Sequence, residues 1–187
     1  MNVTRRMVVL ATACTLAMPG LVLADKAKDQ AEVKKAGQSA LAAVYKAQPG
    51  AKKAVESAAG YAAFSNFGMK ILVAGGGSGK GFAVNNKTKA MTYMKMAEVQ
   101  AGLGFGVKKF QLVWVFETDQ ALNEFVTSGW TVGAQATAAA TTGDKGKSYQ
   151  GAVSVAPGVW LYQLTDKGLA LELTAKGTKY YKDDDLN

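Results

Sequence analysis

Histidine is absent from this chain of 187 residues, and the single cysteine, Cys14, lies in an apolar stretch near the N-terminus. Ser-His and Cys-His nucleophiles, zinc and copper sites and the usual proton shuttle at neutral pH all need these residue types. The sequence therefore predicts no metal site and no cofactor. It leaves carboxylates, lysine and tyrosine as the groups that could support catalysis.

Carboxylates could share acid and base work if two of them lay in a suitable motif. No pair in this sequence does, and isolated acids near turns usually cap helices or face solvent. We therefore predict that the protein is not an enzyme and has no catalytic residues. The carboxylates in question are Glu98, Glu117, Asp119, Glu124, Asp144, Asp166 and Glu172.

A glycine-rich run over residues 74–81 has the composition of a phosphate-binding loop but not its pattern. Ala74 stands where the first glycine belongs, and Gly81 replaces the serine or threonine that would bind magnesium. Residues 82–84 are typical of a strand, so no helix N-terminus follows to face a phosphate. The run predicts a flexible turn between two strands, with Lys80 at its tip.

The first 24 residues are typical of a cleavable export signal. Two arginines precede an apolar run, Pro19 and Gly20 interrupt it, and small residues end at Ala24. The run is shorter than the roughly 20 residues that a membrane-spanning helix needs. We therefore expect cleavage near Ala24 and a single periplasmic or secreted domain over residues 25–187.

Two predicted helices begin this domain. Apolar residues recur at helical spacing over residues 25–48, Pro49 interrupts the pattern, and an alanine-rich helix follows over residues 51–63. Later, Thr118 is placed to cap one inserted helix that Gly129 ends. Helices first and strands mostly afterwards indicate an α+β fold, with N-terminal helices followed by a largely antiparallel, barrel-like sheet.

The strand region carries three specific expectations. Residues 110–116 contain four consecutive large apolar side chains, which predicts a strand buried on both faces at the centre of the core. Asn85 and Asn86 predict a hairpin turn, and the polar segment from Lys182 to Asn187 is expected to fray. The predicted strand runs are residues 69–74, 81–85, 90–99, 101–108, 109–117, 130–140, 149–155, 159–164 and 169–175.

Glycines alternate with apolar residues at the strand period of two. Gly102, Gly104 and Gly106 would leave one face of their strand without side chains. Small residues also dominate residues 133–140. Either a helix or sheet packs tightly on these strands, or a ligand chain lies in a smooth groove, and the sequence leaves both interpretations open.

Lysines occur in pairs, and the formal net charge of the chain is +8. This excess favours anionic partners, and an exported protein rarely meets nucleic acid, so we expect anionic phospholipids at a membrane surface. The amphipathic helix over residues 33–45 would add apolar burial, although lysines on a helix are also common as solvated residues. The candidate lipid-binding residues are Lys34, Lys35, Lys52, Lys53, Lys80, Lys108 and Lys109, together with Trp160. Residues 157–160 are typical of a turn with an exposed apolar tip, but core packing of Trp160 is an equally compatible interpretation.

Several segments, taken in order, resemble the SYLF domain family. They are residues 61–81, 101–104, 110–116, 121–125, 130–133, 168–173 and 177–178. The resemblance implies a lipid-binding module that acts on phosphoinositides and other anionic lipids in eukaryotic relatives, some of which also bind actin. It also implies a small exported protein among bacterial members, which would not meet actin.

These observations predict an exported lipid-binding protein that docks on anionic phospholipid headgroups. The alternative is an envelope structural or protein-interaction domain without catalytic activity. In that case the smooth strand faces would serve packing, and a strand edge or the aromatic tip would recruit an envelope protein partner.

Overall fold

The computed structural model describes residues 19–71, 74–101, 106–132, 149–165, 168–170 and 178–187. Within these ranges the chain forms three helices and nine strands. The helices are α1 (Pro19–Ala47), α2 (Gly50–Ser57) and α3 (Asp119–Thr127); the strands are β1 (Gly60–Ile71), β2 (Ala74–Asn85), β3 (Met91–Ala101), β4 (Gly106–Phe116), β5 (Trp130–Val132), β6 (Val153–Ala156), β7 (Val159–Thr165), β8 (Gly168–Ala170) and β9 (Thr178–Lys182). The predicted α+β architecture is confirmed.

All nine strands belong to one sheet, and every described pairing is antiparallel. The strand order is β5-β9-β3-β2-β1-β4-β7-β6, with β8 beside β7. The long strands β1 to β4 form the centre, and β1 pairs with β2 along its whole length without a register shift.

Curvature of the sheet follows from contacts between strands that are not neighbours. Three strands separate Tyr180 on β9 from Trp114 on β4, which in a flat sheet would place them about 19 Å apart. Their ring centroids are instead 5.0 Å apart, and Trp130 on β5 lies 6.0 Å from Trp114. The sheet therefore curls into a half-barrel around an aromatic interior.

Hydrophobic clusters cover both faces of this half-barrel. On the concave face, Trp114 packs with Phe125 of α3 and with Tyr180. On the convex face, α1 and α2 cover Val113 and Val115 of the same strand β4. Successive residues of β4 therefore point into different clusters, which confirms the prediction that residues 110–116 are buried on both faces.

The helix boundaries differ from prediction at two points. Helix α1 is described from Pro19, so it extends further towards the N-terminus than the predicted start at residue 25. Helix α2 ends at Ser57, so the prediction of a helix to residue 63 is wrong. Alanine has the highest intrinsic helix propensity, but tertiary contacts readily override such propensities. At Ala62 and Ala63 the pairing of β1 with β2 on one side and β4 on the other outweighs the helical preference.

The glycine-rich run is strand, not turn, because residues 74–81 belong to β2 and pair with both β1 and β3. A side chain at Gly81 would collide with the carbonyl oxygen of Ala63 and the ring of Phe64. Glycine is required there by close packing within the sheet. The prediction of a flexible turn with Lys80 at its tip is therefore wrong.

Two local predictions are confirmed at atomic detail. The side-chain oxygen of Asn85 accepts hydrogen bonds from the backbone N–H groups of Lys87 and Thr88, both at 2.9 Å, and so shapes the β2–β3 hairpin turn. The side chain of Thr118 accepts from the N–H of Ala121 and caps α3. Gly129 follows α3 with a φ of 69°.

The C-terminal segment is docked, so the expectation of fraying is wrong. Asp183 and Leu186 are 1% and 4% exposed. Lys26 of α1 donates to the carbonyl oxygen of Asn187 at 2.8 Å, and Gln30 donates to that of Leu186 at 2.7 Å. These contacts tie the end of the described chain to the first helix.

Candidate functional site

The outer faces of α1 and α2 carry four of the predicted lipid-binding residues, Lys34, Lys35, Lys52 and Lys53, which we call the lysine surface. Helix α1 buries apolar residues at helical spacing against the sheet, and α2 does the same with Ala51, Ala54 and Val55. The lysines lie between these positions on each helix and are exposed. The structure therefore brings these four residues to helices on one face of the half-barrel.

The apolar face of α1 is already occupied by the sheet. Val33, Leu41 and Val44 are buried, and a Cβ atom added at Gly37 would lie 2.5 Å from the ring of Phe82. The helix backbone thus contacts the sheet directly. In the folded domain this face is not available to a membrane, which corrects the expectation that residues 33–45 would add apolar burial there.

Ion pairs compensate some of the charge on these helices. Lys52 Nζ lies 3.8 Å from Glu56 Oε1, one turn away on α2. Exposed pairs of this kind contribute little to stability and leave the lysine accessible. Lys34, Lys35 and Lys53 have no ion-pair partner among the described residues, so the surface retains uncompensated positive charge.

Lys80 belongs to the sheet and not to the two helices that carry the lysine surface. It is part of β2, and its Nζ atom is 3.8 Å from Asp29 Oδ2 on α1. Both side chains are about half exposed. Lys80 therefore links the sheet to the first helix instead of standing free on a turn.

The remaining nominated lysines and glycines fall near the limits of the described chain. Lys108 and Lys109 are consecutive residues inside β4, opposite Gly68 and Phe67 of β1, and their side chains lie outside the description. Gly106 begins β4. Gly102, Gly104 and the run 133–140 lie outside the described residues, so both interpretations of the smooth strand face remain expectations.

Trp160 is 5% exposed, so the interpretation of core packing is confirmed and the alternative of an exposed aromatic tip is wrong. Its ring stacks on Tyr149 with a centroid distance of 4.6 Å, and its indole N–H donates to Glu117 Oε1 at 3.1 Å. Gly158, with a φ of 71°, turns the chain so that Trp160 enters β7 facing the convex cluster. The uninterrupted apolar run at the start of β7, residues 159–162, was the signal that could have indicated this burial, because such runs are typical of strands covered on both faces.

Sequence reasoning missed a charged cluster that joins β3 to the C-terminal segment. Lys95 Nζ lies 2.8 Å from Asp183 Oδ1 and 2.7 Å from Asp185 Oδ2. Hydrogen bonds to Asp183 and then to Asp185 raise the pKa of Lys95, and the hydrogen bond from Lys95 lowers the pKa of Asp185. No local pattern signals this cluster, because Lys95 and Asp185 are 90 residues apart.

Two tyrosines near the N-terminal helices have raised pKa values, which makes them unsuitable for acid-base chemistry at neutral pH. Burial raises the pKa of Tyr45 to about 12 and also raises the pKa of Tyr61. Both hydroxyls therefore stay protonated. Among the described residues, no helix combines the length and apolarity needed to cross a membrane.

Comparison with known proteins gives two matches. Residues 97–187 match the Ysc84 family, described as Las17-binding protein actin regulator. The chain is also 34% identical over 150 residues to beta cell expansion factor A of Aeromonas veronii, a match that covers 79% of this chain and 55% of that protein. The chain thus spans about half the length of this relative. Residues 97–187 thus match the model of the Ysc84 or SYLF domain family, which confirms the resemblance of the sequence segments to that family.

Proposed function

We propose that this protein is an exported, non-enzymatic lipid-binding domain that docks on anionic phospholipid headgroups through the lysine surface. The observation that supports it most directly is the exposure of Lys34, Lys35 and Lys53 without ion-pair partners among the described residues. They lie on two helices that cover one face of the sheet. The family match of residues 97–187 supports the same proposal, because the resemblance of the sequence to the SYLF domain family implies lipid binding.

The expected mode of binding is reversible docking on the membrane surface. Each lysine near an anionic membrane contributes about 1 kcal/mol, so four lysines contribute about 4 kcal/mol. For a single-site interaction, this free energy corresponds to a dissociation constant of about 1 mM. Because α1 keeps its apolar face against the sheet, little hydrophobic insertion adds to this value, and salt should release the protein readily.

Co-sedimentation of the purified protein with vesicles tests this proposal. We expect binding to vesicles containing phosphatidylglycerol, no binding to pure phosphatidylcholine, and progressive release between low and physiological salt. A variant with Lys34, Lys35, Lys52 and Lys53 all changed to Gln should lose most of the binding. No binding of the unaltered protein to anionic vesicles at low salt would reject the proposal.

A matched pair of double variants separates a defined surface from net charge. Lys34→Gln with Lys35→Gln removes two charges from α1, and Lys179→Gln with Lys182→Gln removes two from β9, where both lysines are also exposed. The α1 variant should weaken vesicle binding several-fold, and the β9 variant should leave it nearly unchanged. If both double variants weakened vesicle binding equally, the protein would be attracted by its overall charge, and docking through the lysine surface would be contradicted.

An envelope interaction domain is the second candidate, favoured by the description of the Ysc84 family as binding a protein. Photo-crosslinking in intact cells, with the crosslinker at Lys35 or Lys53, distinguishes the two. Recovery of one protein in stoichiometric yield, together with absence of vesicle binding, would favour this second function. Lipid recovery without a protein adduct would favour the first.

A further inference from the structure

A cavity of about 490 Å³ lies between the β2–β3 hairpin and helix α3. Its volume is in the range of small-molecule sites, about 300–1,000 Å³. Ala83 and Leu122, which line it, belong to the concave cluster. The cavity therefore lies on the opposite face of the sheet from the lysine surface and is independent of the proposed membrane contact.

The inner part of the cavity is apolar. Ala83 and Leu122 are buried, and Val126 is partly buried against the same cluster. These side chains come from both walls, the first from β2 and the others from α3. An apolar group in the cavity would therefore be contacted from the strand and from the helix together.

The outer part of the cavity carries one cationic and one anionic side chain on opposite walls. Lys87 is exposed on the hairpin and has no ion-pair partner among the described residues. Asp119 is exposed in the first turn of α3, and its Oδ1 atom accepts a hydrogen bond from Asn85 Nδ2 at 3.0 Å. That bond joins the two walls at one point. Each carboxylate oxygen accepts more than one hydrogen bond, so Asp119 retains acceptor capacity towards the cavity.

Further hydrogen-bonding groups line the cavity between these charges. Thr92 projects from β3 and Asn123 from α3. Burying such groups without partners costs free energy. A purely apolar ligand is therefore disfavoured, while a simple anion would be repelled by Asp119 and a simple cation by Lys87.

We infer that this cavity binds a small zwitterionic amphiphile, a molecule with an acidic group, an ammonium group and an apolar part. The acidic group pairs with Lys87 and the ammonium with Asp119. The apolar part lies on Leu122 and Val126. Two kinds of compound share this chemistry: a single-chain lipid with a phosphoethanolamine headgroup, and a short apolar peptide with free ends.

Titrations followed by amide NMR spectra of the purified protein test the inference and distinguish the two sources. The probes are lysophosphatidylethanolamine below its micelle concentration and the dipeptide leucyl-leucine. Their single-charge analogues are lysophosphatidylglycerol, N-acetyl-leucyl-leucine and leucyl-leucine amide. We expect one zwitterion to shift the amide signals of Lys87, Thr88 and Asn123 and to bind at least tenfold more tightly than its analogues. Binding of neither zwitterion at millimolar concentration, or equal binding of the analogues, would overturn the inference.

Matched variants locate the interaction. Lys87→Gln and Asp119→Asn should each weaken binding of the active probe at least tenfold, and Asn at position 119 still offers an oxygen to Asn85. Lys89→Gln and Glu124→Gln change the same loop and the same helix at residues that do not line the cavity, and should leave the affinity unchanged. Equal loss in the control variants would overturn the assignment to this cavity. Thermal unfolding of all four variants shows whether they remain folded.

Discussion

The side-chain amide of Asn187 hydrogen-bonds both backbone groups of Tyr93. Its Oδ1 atom accepts from the Tyr93 N–H at 2.9 Å, and its Nδ2 atom donates to the Tyr93 carbonyl oxygen at 2.8 Å. Strand β9 pairs with β3 only as far as Lys182, opposite Met94. The backbone N–H of Asp183 also donates to the Tyr93 carbonyl oxygen, at 2.9 Å. Asn187 therefore supplements the backbone pairing at this end of β3 and supplies the acceptor for the Tyr93 N–H.

We expect Asn187→Ala to lower the free energy of unfolding by about 1–2 kcal/mol, because Tyr93 loses two hydrogen bonds. Asn187→Asp should also destabilise, since a carboxylate accepts but cannot donate to the Tyr93 carbonyl oxygen. Urea denaturation measures the difference. Asp184→Ala, at an exposed position in the same segment, is the control. An unchanged urea midpoint for Asn187→Ala would show that the two hydrogen bonds of the Asn187 side chain with Tyr93 contribute nothing to stability.

Lys95 should give the protein a stability contribution that depends on pH. The pKa of Asp185 is lowered from 3.8 by pairing with Lys95. The stability that the Asp185 carboxylate adds is therefore fully present above pH 3.8 and is lost as the pH falls through the lowered pKa. The pKa of Lys95 is raised from 10.5, so its contribution is present below that pH and is lost as the pH rises through the raised value. We therefore expect Lys95→Gln to destabilise at neutral pH and to have a smaller effect in strong acid.

Urea denaturation of the unaltered protein and of Lys95→Gln near neutral pH and in strong acid provides the measurement. Lys182→Gln, which removes an exposed lysine from β9, is the matched control and should show little effect at either pH. A Lys95→Gln effect of the same size under both conditions would mean that packing of the lysine stem, not pairing with Asp183 and Asp185, explains the loss.

Gly37→Ala should destabilise the protein, although alanine is favoured over glycine in a helix by about 1 kcal/mol. A Cβ atom there would lie 2.5 Å from Phe82 and 3.2 Å from the carbonyl oxygen of Ala63. Overpacking of this kind costs about 1–3 kcal/mol. Gln38→Ala on the exposed face of α1 is the control and should be neutral or stabilising. Thermal melts decide the sign, and a higher melting temperature for Gly37→Ala would refute direct contact between α1 and the sheet.

Trp160→Leu should lower stability and leave vesicle binding unchanged. The substitution removes a buried ring that stacks on Tyr149 and donates a hydrogen bond to Glu117. Its cost should be smaller than the cost of about 3–5 kcal/mol for truncating such a ring to alanine, because leucine refills part of the space. Denaturation and co-sedimentation of one preparation measure both properties. A stable variant with impaired vesicle binding would instead restore the role of Trp160 as a membrane-contacting tip.

Export of the chain should yield a protein that begins at Asp25. Intact-mass measurement of protein recovered from the periplasm and the medium tests this. Lys26, which donates a hydrogen bond to the carbonyl oxygen of Asn187, is the second residue after the expected cleavage point. The processed chain therefore keeps this hydrogen bond. Recovery of only the unprocessed mass, from the cell interior, would contradict the expected localisation.

The sequence predicted the elements that local patterns determine. Residues 110–116 were identifiable as a central strand because their apolar side chains are consecutive, and Thr118 was identifiable because a cap acts on residues three positions away. The glycine run of β2 was mistaken for a turn, since only its packing against Ala63 and Phe64 explains the missing side chains.

The candidate sites were less accessible to sequence reasoning. The lysines of α1 and α2 were found from their pairing and charge. Burial of Trp160 depends on Tyr149 and Glu117, and docking of Asp183 depends on Lys95. The cavity lies between a hairpin and a helix whose lining residues are at least 27 positions apart in sequence, from Thr92 to Asp119, so no local pattern reveals it.

The aromatic interior also imposes an order on folding. Tyr180, which closes on Trp114 and Phe64, belongs to the last strand of the described chain. A chain emerging from its N-terminus can therefore cover the concave rings of β1 and β4 only in part, with Phe125 and Trp130, until Tyr180 of β9 arrives. Such long-range closure slows folding and prolongs the time in which exposed rings can associate between molecules. Productive folding of this protein thus depends on its final residues more than their small number suggests.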